Sequence, residues 1–134
     1  RNGMLSDKQI ERIAQQYIKS LNIATSSVKK KAINLSGGNQ QKLLMARWLI
    51  NEAGVLIVDE PTIGVDVGAK QEIYDLIRSV AKTGASVIVI SSDLPEILTL
   101  CDRVMVMWLG NKTGELSHEE ATEEGIMRLA SGIT

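Results

Sequence analysis

"VLIVDEPT", Val55–Thr62, is the stretch that decides the fold. Its four leading residues are apolar and bounded by Gly54 and Asp59, a short continuous run that suits a strand buried on both faces. The run stops at two adjacent carboxylates, Asp59 and Glu60. Successive side chains on a strand point to opposite faces, so the two acids are expected to do different work. One can hold Mg²⁺, often through a water, because Mg²⁺ keeps several waters and takes few carboxylates. The other can orient or deprotonate a water that attacks a phosphate. An acidic strand end that simply meets solvent is the competing reading, and the run alone leaves both open.

Working outward, the downstream sequence repeats the strand–helix alternation. Ile73, Leu76, Ile77 and Val80 keep one helical face from about Gly68 to Lys82, with Gly84 as the stop. Ser86–Ile90 reads as a second buried strand, Asp93-Leu94-Pro95-Glu96 as a capped helix start, and Val104–Met107 as a third strand. Gly110-Asn111 suggests a turn into a short fourth strand around Thr113–Leu116, and Ser117–Glu120 fits a capping box for closing helical segments. This alternation predicts an α/β fold with a parallel sheet. Catalytic groups in such sheets lie just past the carboxyl ends of strands, which selects Asp59 and Glu60, then Ser91 and Ser92.

Upstream, Ser6-Asp7-Lys8-Gln9 is a capping box, and Ile10, Ile13, Ala14, Tyr17, Ile18 and Leu21 follow the helical period to about Leu21. Ala24–Ala32 is polar and basic, a loop or short helix. "NLSGGNQQK", Asn34–Lys42, then places a small hydroxyl and a Gly-Gly turn before a second helix from about Asn39 to Asn51. Ser36 can cap that helix with its hydroxyl. Gly37 and Gly38 would let backbone N–H groups approach a phosphate at the positive end of the helix dipole. A plain Ser cap after a Gly turn is the simpler account of these residues taken alone.

The 134 residues are the length of one ordinary domain, and 44% hydrophobic with 23% charged residues fits a globular protein. A net charge of −1 argues against nucleic-acid binding through a general basic field. The single cysteine, Cys101, cannot form an internal disulfide, and a reducing compartment is expected. No apolar run reaches the about 18 residues of a membrane span, and no leader with a cleavage site is expected at the N-terminus. With Phe absent and aromatics at 3%, the core must be built from Ile, Leu, Val and Met.

The two motifs occur together, in this order, separated by one helix. "LSGGNQQK" at Leu35–Lys42 resembles the signature motif of ATP-binding cassette (ABC) ATPases, "VLIVDEPT" their Walker B strand, and "IGVD" at Ile63–Asp66 their D-loop. With "DEPTIGVDVGAK" and "SSDLPEIL", the chain is most similar to the second cassette of the ATP-binding subunits of bacterial sugar importers of the ribose, galactose and xylose type. The resemblance implies a partial P-loop-NTPase-like core: a helical subdomain with signature helix over residues 1–51, an α/β core over 52–116, and a C-terminal helical segment over 117–134. It implies ATP and Mg²⁺ as cofactors, Asp59 as the metal-associated carboxylate and Glu60 as catalytic base. Ser36, Gly37 and Gly38 would touch the γ-phosphate of ATP on an opposite cassette. Asn39, where many members have Gln, and Asp66, which matches the D-loop aspartate between cassettes, are also implied to be cofactor-binding. The implied partners are a second ABC cassette, membrane permease subunits and, indirectly, a periplasmic or extracellular sugar-binding protein, with no nucleic acid. The implied place is peripheral, on the cytoplasmic face of the bacterial inner membrane.

Two departures qualify the resemblance. The family's switch histidine falls at Ser92, which cannot carry imidazolium charge; this implies a site that hydrolyses poorly or serves mainly for binding. The only histidine, His118, is expected at the surface, and Arg47 in a surface or structural ion pair. No GxxxxGK[ST] phosphate loop is present, and "GNKT" at Gly110–Thr113 is expected to be a hairpin turn instead. The chain is therefore expected to be the C-terminal part of a cassette, inactive alone, and prone to self-association through unpaired strand edges. The competing expectations are a soluble ABC ATPase acting on ribosomes or DNA, and a non-catalytic interaction module.

Overall fold

A computed structural model describes residues 6–50 and 54–132. The chain divides into two compact units, one of Arg1–Ile57 with Pro61–Ile88 and one of Val58–Glu60 with Val89–Thr134.

The first unit opens with α1, Asp7–Ser20, whose capping box forms as expected: Gln9 N–H donates to Ser6 Oγ at 3.3 Å and Ser6 N–H to Gln9 Oε1 at 3.2 Å. Its apolar stripe is half-buried at Ile13, Ala14, Tyr17 and Ile18. The basic stretch that follows is a loop ending in a 3₁₀ turn at Ala32–Asn34. Helix α2 spans Gly37–Ile50 and therefore starts two residues earlier than the glycines suggest; they form its first turn rather than a turn before it. The expected last residue, Asn51, lies outside the described residues. Helix α3, Val67–Lys82, buries Ile73, Leu76, Ile77 and Val80 as its period predicts, together with Tyr74. Burial of each such aliphatic side chain contributes roughly 1.5–3 kcal/mol. Gly84, at φ +94, ends the helix. Between α2 and α3 lies Lys42, 6% exposed, whose ammonium donates to the Asn22 carbonyl at 2.9 Å and pairs with Glu72.

Strands β1, Val55–Asp59, and β2, Ser86–Ile90, pair. Ser86 N–H bonds the Gly54 carbonyl at 3.0 Å at one end and Glu60 N–H bonds the Ile90 carbonyl at 2.8 Å at the other, so the strands are parallel. One expectation is corrected here. β1 is buried on one face only: Leu56 and Val58 are inside, but Val55 and Ile57 are each 56% exposed. A run without alternation permits two buried faces; whether both are covered depends on the layers packed against it, and the described residues supply one.

The second unit is built on an antiparallel hairpin, β3 (Arg103–Trp108) with β4 (Asn111–Ser117), paired from Arg103↔Ser117 to Trp108↔Asn111. The third strand thus pairs with the fourth, and not as a further parallel neighbour of β2. The reason is the connection: Leu109 and Gly110, at φ +46 and +80, make a two-residue hairpin turn of the kind that demands left-handed backbone at both positions. The "GNKT" stretch is accordingly turn and strand. α4, Leu94–Leu100, is capped by Asp93, and α5, Glu123–Ala130, lies on the hairpin. Ile97, Val104, Val106, Ile126 and Leu129 form the core. A Cβ at Gly114 would meet Leu129 Cδ1 at 2.6 Å, so the Leu129 side chain would have to shift. α5 starts from a Thr122 cap, not from Ser117; Ser117 N–H and hydroxyl instead donate to Glu120 at 3.0 and 2.8 Å in the preceding turn. His118 is exposed, with Nδ1 3.0 Å from the Cys101 carbonyl. Among the described residues no helix is long and apolar enough to cross a membrane.

Candidate functional site

The acidic pair stands at the end of β1. Asp59 closes the strand with its side chain exposed. Glu60 is not the next pleat of that strand, as the alternation argument assumed: its backbone is left-handed, at φ +47. Pro61 biases the preceding residue toward extended backbone, so the left-handed conformation of Glu60 runs against the local preference. That conformation costs a non-glycine residue about 1–2 kcal/mol, and such strain concentrates at functional positions. The turn holds the Glu60 carboxylate so that Oε1 accepts the Ser92 backbone N–H at 2.9 Å, 32 residues away in sequence. The strand-end rule therefore brings Glu60 and Ser92 together, but through Ser92's backbone. The neighbouring Ser91 is used locally, its Oγ accepting Asp93 N–H at 3.0 Å.

The signature residues lie in the first unit. Ser36 and Gly37 are exposed at the start of α2, whereas Gly38 is buried. The first turn of a helix leaves its N–H groups without intrahelical partners, and here the ladder starts with Gln40 N–H to the Ser36 carbonyl at 2.9 Å. The Ser36 hydroxyl does not cap that turn as expected. It accepts the Asn39 side-chain amide at 2.7 Å, while Asn39 Oδ1 accepts Ala24 N–H at 2.7 Å. Both glycines also have packing reasons. A Cβ at Gly37 would lie 2.7 Å from the Gly64 carbonyl oxygen, and one at Gly38 would lie 3.1 Å from Ala69 Cβ. The close approach draws the signature turn against the 61–66 segment. Asp66 in that segment is the N-cap of α3, its Oδ1 accepting Ala69 N–H at 3.0 Å. Arg47 is exposed in the last turn of α2.

Two features escaped the sequence argument. The left-handed Glu60 had no local signal, since the following proline points to extended backbone. The buried Lys42 had a partial one: it lies four residues after the packed Gly38, on the same helix face, where an aliphatic residue would be usual. Among the described residues no group of three or more side chains suited to a metal is assembled. An exposed carboxylate such as Asp59 fits a cation that keeps most of its waters.

Comparison with known proteins bears on this arrangement. Residues 2–63 match the family model described as ABC transporter. The chain is 53% identical over 130 residues to a ribose/galactose/methyl galactoside import ATP-binding protein of Geobacillus kaustophilus, covering 97% of this chain and 26% of that protein. It is 50% identical over 129 residues to a ribose import ATP-binding protein of Clostridium perfringens, covering 96% of this chain and 26% of the relative. The chain thus spans about a quarter of the length of the curated relatives it matches. Its fold is similar to that of a dimeric ATP-binding cassette in a post-hydrolysis state bound to ADP and Pi, with a TM-score of 0.74 at 24% identity over 88% of this chain and 51% of that one.

Proposed function

Because the chain belongs to the ABC transporter ATP-binding family, we propose that it forms part of the motor of a bacterial sugar importer, supplying a signature turn and a Walker B carboxylate pair to an ATP sandwich. The observation that carries this reading is the exposed Ser36–Gly37 start of α2, in a sequence about half identical to sugar-import ATP-binding proteins. Ser36 and the first-turn N–H groups of α2 face the γ-phosphate of ATP held by a second cassette, where the helix dipole favours negative charge. Glu60, held by Ser92 N–H, orients the attacking water and takes its proton. Asp59 is the residue that would hold Mg²⁺ through water, and the metal when bound neutralises phosphate charge. Asp66, at the end of the D-loop, faces the partner cassette while its carboxylate starts α3.

Closure of the sandwich drives membrane permease subunits, and hydrolysis reopens it. The sugar reaches the permease from a periplasmic or extracellular binding protein, and the motor acts from the cytoplasmic face. No nucleic acid takes part. The two ATP sites of the sandwich are unequal: the signature at Ser36–Gly38 serves the partner's site, while the site on Asp59 and Glu60 has neutral Ser92 where an imidazolium would stand. In the reconstituted transporter, Ser36→Arg is expected to abolish sugar-stimulated ATP turnover, whereas Glu60→Gln is expected to lower it less than about threefold. Equal losses would contradict the unequal pair. Full turnover in Ser36→Arg would contradict the signature assignment.

A further inference from the structure

Resting on the reading of Ser36 as a phosphate-facing hydroxyl, we propose that Asn39 is a positioning residue that sets the direction of the Ser36 proton and does not itself touch the nucleotide. A backbone N–H can only donate, so the Asn39 atom 2.7 Å from Ala24 N must be the carbonyl oxygen. The other end of the same amide is then the NH₂ group, 2.7 Å from Ser36 Oγ. Asn39 therefore donates to Ser36 and occupies a lone pair of its oxygen. The hydroxyl keeps its own proton for another acceptor. Ser36 is exposed, which leaves that proton open to an acceptor from outside, and an ionised phosphate offers only acceptors. The relay from Ala24 through Asn39 to Ser36 has a single polarity, and it ends in a donor.

The polarity can be reversed with almost no change of shape. Asn39→Asp keeps an acceptor for Ala24 N–H but offers only acceptors to Ser36. The hydroxyl then donates to the introduced carboxylate and turns its lone pairs to the phosphate. In the reconstituted transporter, kcat/KM for ATP is expected to fall about tenfold or more in Asn39→Asp and only about threefold in Asn39→Ala, which leaves the hydroxyl free to rotate. A residue that merely braces the Ala24 loop would give the opposite order, because Asp keeps that tether and Ala loses it. The thermal unfolding midpoint is expected to follow this opposite order.

The added negative charge is separated from hydroxyl polarity by a Ser36→Ala background, where Asn39→Asp is expected to cost less than about twofold further. An undiminished loss in that background, or a loss in Asn39→Asp no greater than in Asn39→Ala, would overturn the positioning role alone. Wild-type turnover in Ser36→Ala would overturn the Ser36 reading and this inference with it. Should Asn39→Asp unfold below the assay temperature, the cycle of Asn39→Ala with Ser36→Ala decides: non-additive losses support the relay and additive losses overturn it.

Discussion

At the scale of single residues, the chain places its chemistry where backbone geometry leaves little choice. Glu60 is turned out of β1 by a left-handed backbone and held by the Ser92 N–H, a contact that any residue except proline could provide at position 92. The pair of acids was legible because an apolar run ending in Asp-Glu is a strand end under most packings. The turn after Asp59 was not, because Pro61 points to extended backbone and the Glu60 N–H is bonded to the Ile90 carbonyl of β2, 30 residues on. Gly37 shows the converse. Its presence was legible and its reason was not: the glycine is demanded by a carbonyl oxygen 27 residues away in sequence, at Gly64. Gly37→Ala is expected to destabilise the chain by about 1–3 kcal/mol, because the methyl group must displace backbone rather than a flexible side chain. Urea unfolding reads this separately from any loss of ATP turnover; a wild-type midpoint would show that the two segments part easily. At Cys101 burial is the largest influence and raises the thiol pKa, with Asp102 and Glu96 acting in the same direction. The thiol stays protonated near neutrality.

At the scale of elements, helices were more legible than strand partners. A helix carries its own period and its own caps, so α1 and α4 sit close to where Ser6 and Asp93 place them, and α3 close to where its apolar period does. A strand's partner is set by the length and handedness of its connection: the hairpin turn after β3 was legible, whereas the expected parallel pairing of β3 with β2 is not found. The hairpin and the turn after it each carry a carboxylate whose ionised form its neighbours favour. Glu115 has its pKa lowered by hydrogen bonds from Lys112 and then Arg103, and Glu120 by the backbone and then the hydroxyl of Ser117. A carboxyl held lower in the folded than in the unfolded chain adds stability above its ordinary range, and that stability is lost as pH falls through the folded value. The thermal midpoint is therefore expected to drop more steeply between about pH 5 and pH 3 in the wild type than in Glu115→Gln or Glu120→Gln. Parallel curves for all three proteins would show that these contacts do not survive in solution.

At the scale of the whole molecule, the exposed residues matter as much as the buried ones. Val55 and Ile57 on β1, and Ile88 and Ile90 on β2, are each about half exposed. So much aliphatic surface on adjacent strands favours association. This chain by itself is expected to self-associate at micromolar concentration, with the mean mass by light scattering falling toward that of a monomer in Ile57→Lys. A monomer in the unmodified protein would contradict the expectation.

By itself the sequence determined which segments are helices and strands and where the strand ending at Asp59 stops, because periodicity and capping are local properties of a chain; its motifs carried the family resemblance. Only the tertiary structure decided that Glu60 turns away from its strand, that Asn39 ties Ser36 to Ala24, and that Lys42 is buried against Glu72. Each of those outcomes depends on groups distant in sequence competing for one another's hydrogen bonds and space, and no local pattern encodes the winner.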